Sequence, residues 1–83
     1  MPSDEFNQAA AAVRTLTTKP SDSDMLKLYG LYKQVTVGAC NIAEPPSSNV
    51  EGRAKWNAWN ANKGKATDKA EKEYVALVNQ LKA

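Results

Sequence analysis

Histidine is absent from all 83 residues. Its absence removes the commonest general base, the Ser-His and Cys-His nucleophile pairs, and every imidazole metal site. A single cysteine, Cys40, excludes an internal disulfide and a thiolate metal cage. Nothing beside Cys40 in sequence marks an activated thiolate. The four glycines spell no GxGxxG and no GxxxxGK(S/T), so no phosphate-cradling loop is present. Asp22 with Asp24 and Glu71 with Glu73 lack calcium-loop spacing. The longest unbroken apolar run is Ala9 to Val13. A membrane-spanning helix needs about 20 apolar residues and a signal-peptide core roughly 7–15. The expectation is therefore a soluble cytoplasmic protein that holds no metal or cofactor, with most enzyme classes excluded.

Charge of one sign is also scarce. Eleven basic residues face nine acidic ones, for a net charge of +2. Nucleic-acid binders concentrate a basic stripe, whereas here the nine lysines are scattered along the chain. No nucleic-acid partner is expected, although a few lysines can still converge on one small anion. With 42% hydrophobic and 24% charged residues, the chain has the composition of one globular domain, residues 1–83.

What is present favours helix. Alanine is abundant and β-branched residues never alternate as a strand would. A first helix is expected from Ser3 as N-cap, with Asp4 and Glu5 in its first turn and Phe6, Ala9 or Ala10, Val13 and Leu16 as its apolar stripe. Thr17-Thr18-Lys19-Pro20 stops it. Ser21 caps a second helix through Val37, closed by Gly38. Residues 39–49 read as a loop carrying Pro45-Pro46. A third helix spans about Val50 to Asn62 and closes near Gly64, and Thr67 caps a fourth. Amphipathic helices this short must pack together to bury their stripes. Loop length alone leaves helices two and three free to run parallel or antiparallel.

The second helix is apolar over an unusually wide arc. Leu28, Leu31 and Val35 form one stripe, Met25, Tyr29 and Tyr32 a second, and Lys27, Gly30 and Gln34 the polar remainder. The second stripe is either further core or the lining of a site. In the second case Tyr29 and Lys33, four apart, project side by side toward one phosphate. Trp56 and Trp59 share a face as core anchors or as stacking platforms, and Tyr74 is core or pocket wall.

Two blocks carry a resemblance. Residues 19–38, KPSDSDMLKLYGLYKQVTVG, and residues 52–60, GRAKWNAWN, strongly resemble the two signatures of the acyl-coenzyme A-binding proteins. Phe6, Ala9, Ala10, Val13, Arg14, Leu16 and Tyr74 fall in register with them, so the likeness covers essentially the whole chain.

The resemblance implies an all-α, four-helix up-down-down-up bundle, with helices two and three parallel. It implies a monomer holding one medium- to long-chain fatty acyl-CoA without catalysis, for transport and pool-keeping, with passing contacts to acyl-CoA-using enzymes or membranes. By position, ligand contacts fall on Arg14, Tyr29, Gly30, Leu31, Tyr32, Lys33, Lys55 and Tyr74. Tyr29, Lys33 and Lys55 would hold the 3′-phosphate, Tyr32 with Lys55 and Tyr74 the adenine and ribose, and Arg14 the other phosphates. Ala10, Met25 and Leu26 would face the acyl chain. Val35, Ser23, Glu51 and the 39–49 loop depart from the family pattern. Two other classes fit parts of the pattern: a helical interaction module receiving a partner on the Met25-Tyr29-Tyr32 face, and a nucleic-acid binder stacking bases on Tyr or Trp.

Overall fold

The computed structural model describes residues 3–17 and 19–82. They form four helices and no strand: α1 (Asp4–Val13), α2 (Asp22–Thr36), α3 (Val50–Asn60) and α4 (Thr67–Lys82). Three starts are set by side-chain caps that satisfy otherwise unpaired backbone donors. Ser3 Oγ accepts from the Phe6 N–H and Ser21 Oγ from the Asp24 N–H, both at 3.2 Å. Asn49 Oδ1 accepts from Gly52 N–H at 3.1 Å.

Several expected boundaries move. Helix α1 ends at Val13, before Leu16, because its backbone tightens into three-residue turns: Arg14 to Ala11 at 3.2 Å and Thr15 to Ala12 at 3.0 Å. Thr18, part of the expected stop, lies outside the described residues. Helix α3 closes at Asn60, two residues early, and a run of turns leads to Gly64. Thr67 is already helical and not a cap, since the first helical bond runs from Ala70 N–H to Ala66 O. Gly38 and Gly64 take φ of 107° and 87°, the left-handed conformation expected where chains leave α2 and α3.

Packing partners fix the helix directions. Along α2 and α3 they rise together: Tyr29 meets Lys55, Gly30 approaches Ala58 and Lys33 lies over Trp59. The two helices are therefore parallel. Along α1 and α4 they also rise together, from Ser3 with Glu71 through Phe6 with Tyr74 to Ala12 beside Asn79. Between α2 and α4 the order reverses, with Gln34 reaching Lys65 O while Tyr32 meets Tyr74. The bundle is up-down-down-up. Helix α1 packs on α4, α4 on α2, and α2 on α3, giving a thin body of 35 × 28 × 14 Å.

The core joins Phe6 and Ala9 of α1, Leu28 and Leu31 of α2, and Ala70, Tyr74 and Val78 of α4. Helix α3 adds nothing to that cluster; its one buried residue is Trp59. It is mounted by other means. Trp59 Nε1 donates to Gly38 O at 2.8 Å and Trp56 Nε1 to Ile42 O at 3.0 Å, while Arg53 pairs with Glu44 at 2.7 Å. These bonds strap the loop after α2 onto α3.

Of the three residues of α2 read as its polar face, Lys27 is exposed but Gly30 and Gln34 are buried. Gln34 is 4% exposed, with its Nε2 donating to Lys65 O at 2.9 Å. Gly30 lies against α3 so closely that a Cβ there would sit 2.3 Å from Ala58 O. Replacing Gly by Ala inside a helix normally stabilises it by about 1 kcal/mol. Here Gly30→Ala is expected to lower unfolding free energy by about 1–3 kcal/mol, because backbone must shift to admit the methyl. Urea titration reads this directly, and an unchanged or raised midpoint would contradict the close approach.

Candidate functional site

Helix α2 is a ridge between two grooves. One, of about 600 Å³, lies between α1 and α2 over Tyr74 of α4; Asn7, Ala10, Arg14, Met25, Tyr29 and Tyr32 line it. The other, of about 730 Å³, lies between α2 and α3, where Leu26, Leu31, Ala54 and Ala58 form its apolar wall. Both volumes fall within the range of small-molecule sites, about 300–1,000 Å³. The wide apolar arc of α2 thus serves core and groove together.

At the first groove two cations meet one ring. Lys33 Nζ lies 5.9 Å from the Tyr29 ring centroid, and Lys55 Nζ, arriving from α3, lies 5.7 Å from it. Lys33 Nζ is also 5.6 Å from the Trp59 ring. These are cation–π distances, and aromatic faces hold the ammoniums in place without neutralising them. Among the described residues Lys33 makes no ion pair, whereas Lys55 Nζ is 3.4 Å from Glu51 Oε1. The parallel run of α2 and α3 brings together lysines 22 positions apart in sequence. The result is a cationic, hydrogen-bond-donating mouth that suits a phosphate.

The floor beside it is aromatic. Phe6 stacks on Tyr32 at 5.8 Å and 24°, and tilts against Tyr74 at 4.8 Å and 51°. Tyr32 is 41% exposed, so it leaves a ring face open to the groove. Tyr74 is 4% exposed. Burial pushes its phenol above the usual value near 10, Tyr32 adds to the rise, and the nearby Arg14 charge opposes it. An unfolded chain therefore gives up this proton at lower pH than the native one. The stabilisation is complete below about pH 10 and is lost as pH climbs through the native value. Urea midpoints should fall as pH rises above about 10, and Tyr74→Phe should flatten part of that fall. An unchanged slope in the variant would assign the fall to other groups.

Four of the expected site residues line the first groove, Arg14, Tyr29, Tyr32 and Tyr74, with Ala10 and Met25 along its length, and Lys33 and Lys55 join them over the Tyr29 ring. Three do not. Leu26 lines the second groove, because adjacent helix positions point about 100° apart. Leu31 is core at 6% exposure, and Gly30 is sealed beneath Ala58. Neither offers a surface to the cationic mouth. Asn7 and Ala11 also line the groove and were not anticipated; their spacing to Arg14 on α1 was the available signal. The Glu51–Lys55 pair likewise follows from opposite charges four apart.

Known proteins share the sequence and the fold. A family model described as acyl CoA binding protein matches residues 3–78. The chain is 54% identical over 76 residues to the acyl-CoA-binding protein of Dictyostelium discoideum, covering 92% of this chain and 90% of that one. It is 51% identical over 81 residues to the acyl-CoA-binding protein of Saccharomyces cerevisiae, covering 98% and 93%. The crystal structure of Oryza sativa acyl-CoA-binding protein 2 superposes with a TM-score of 0.90 at 42% identity, over 94% of this chain and 85% of that one.

Proposed function

Because this chain belongs to the acyl-CoA-binding protein family, we propose that its first groove holds one fatty acyl-CoA, without catalysis. The observation that carries the assignment of residues is the meeting of Lys33 and Lys55 on the Tyr29 ring, from two helices, at the mouth of an apolar-walled groove. Acyl-CoA is a polyanionic nucleotide joined to an alkyl tail, and the groove offers a complement to each part. Lys33, Lys55 and Tyr29 bind the 3′-phosphate by charge-assisted hydrogen bonds of about 1.5–3 kcal/mol each. Tyr32, over Phe6 and Tyr74, supplies the face on which adenine stacks. Arg14 faces the remaining phosphates.

Ala10, small enough to leave room, and Met25, 40% exposed and adaptable, begin the trough for the tail. Leu26 extends it over the α2 ridge into the second groove. Each buried methylene adds up to about 0.8 kcal/mol. The protein acts as a monomeric cytoplasmic carrier, keeping the thioester in a soluble pool and passing it to acyl-CoA-using enzymes. Among the described residues no helix is long and apolar enough to cross a membrane. A groove made only to receive a partner helix needs no pair of converging ammoniums at its mouth.

Titration calorimetry with palmitoyl-CoA, free CoA and palmitate tests the reading. The intact thioester should bind far more tightly than either half, and affinity should rise with acyl length before flattening. Equal weakness toward all three ligands would end the assignment, and an affinity independent of chain length would confine it to the nucleotide.

A further inference from the structure

Each lysine of the anion site has different electrostatic company. Among the described residues Lys33 has only ring faces, those of Tyr29 and Trp59. Lys55 has a carboxylate as well, Glu51 Oε1 at 3.4 Å, one helical turn toward the N-terminus. Glu51 belongs to the first turn of α3, where the positive end of the helix favours an acid. A Glu four residues ahead of a Lys is also the better orientation of such a pair. Local helix energetics thus place a negative charge beside the phosphate position, where it competes with an anionic ligand for the same ammonium. The Glu51 side chain is 84% exposed and that of Lys55 45% exposed, so the competition is partial and sensitive to salt.

We propose that Glu51 is an internal counter-ion of the anion site, which occupies Lys55 in the empty protein and lowers affinity for the 3′-phosphate of the ligand. This inference rests on the acyl-CoA reading above. It makes Glu51 a determinant of affinity that does not itself touch the ligand. Binding exchanges one partner of Lys55 for another: the Glu51 contact opens, its carboxylate returns to water, and the ammonium closes on the phosphate. The device lowers affinity without removing a cation, so the site keeps its selectivity for phosphate while releasing ligand faster.

Calorimetry on Glu51→Gln and Glu51→Lys, with palmitoyl-CoA and its 3′-dephospho form at low and moderate salt, tests this. Glu51→Gln should tighten palmitoyl-CoA about two- to fivefold at low salt and less at moderate salt. Glu51→Lys should tighten it further, and neither should much change the 3′-dephospho ligand. Glu5→Gln makes the same change in net charge on the α1–α4 side, away from the site, and should leave both affinities nearly unaltered. Equal tightening of both ligands, an equal effect from Glu5→Gln, or no change in Glu51→Gln would overturn the counter-ion role. Failure of the unaltered protein to bind palmitoyl-CoA at all would instead remove the acyl-CoA reading, and this inference with it. Urea midpoints of each variant separate the two effects of the substitution, since loss of the helix contact alone lowers stability but cannot tighten binding.

Discussion

Replacing Lys33 and Lys55 together by alanine is expected to weaken palmitoyl-CoA binding by more than a hundredfold. The magnitude follows from the loss of two charge-assisted hydrogen bonds of about 1.5–3 kcal/mol each, at about 1.4 kcal/mol per tenfold. Either single substitution should cost from several-fold to about a hundredfold. The two effects need not add, because both ammoniums share the Tyr29 ring and would share one phosphate. The fold should change little. Neither lysine belongs to the core cluster, and removing Lys55 frees only the exposed Glu51. The diagnostic arm is the 3′-dephospho ligand, which should bind the double variant about as well as it binds the unaltered protein. If both ligands weaken alike, the lysines serve another part of the nucleotide and the placement of the 3′-phosphate is wrong.

Which parts of this site could be read in sequence depended on whether their cause was local. The caps Ser3 and Ser21 and the left-handed Gly38 and Gly64 act through neighbouring residues, and each is where its residue type puts it. The neighbourhood of Tyr29 and Lys33 is equally local, being one helical turn. Lys55 joins them only because α2 and α3 run parallel, which no loop length required; its place came from the resemblance. Gly30 and Gln34 were misread for the opposite reason. A glycine and an amide look like a solvent face on a helical wheel. Yet Ala58 of α3 and Lys65 of the turn after it bring backbone carbonyls to that face, and backbone approach calls for a residue without a Cβ and for a polar side chain that can bond a carbonyl. Leu26, which the resemblance set beside Met25 on the acyl chain, lines the second groove, across the ridge of α2 from Met25. Trp59 is buried, as the anchor reading expected: its Nε1 holds the loop through Gly38 O, and its ring carries Lys33.

The coupling between core and site is most direct at Phe6, and substituting it should have the largest effect on stability. Phe6 is 1% exposed and links α1 to Tyr74 of α4 and Tyr32 of α2, with ring centroids at 4.8 Å and 5.8 Å. Helix α1 makes its backbone packing with α4, so this ring is its main bridge toward α2. Phe6→Ala is expected to cost about 3–5 kcal/mol, the transfer term together with the cavity left behind. Domains commonly have only about 5–15 kcal/mol in total, and small ones lie toward the low end. The urea midpoint should therefore fall by roughly a third or more. Phe6→Leu keeps most of the volume and should remain well folded, losing about 0.5–1.5 kcal/mol of aromatic pairing. In that folded variant Tyr32, 41% exposed, loses the ring that stacks behind it, so palmitoyl-CoA affinity should drop several-fold. The 3′-phosphate contribution should persist, because Lys33 and Lys55 stand on α2 and α3, away from α1. A Phe6→Leu protein with unaltered affinity would show that Tyr32 is held by α2 alone, and that the aromatic floor takes no part in gripping the nucleotide.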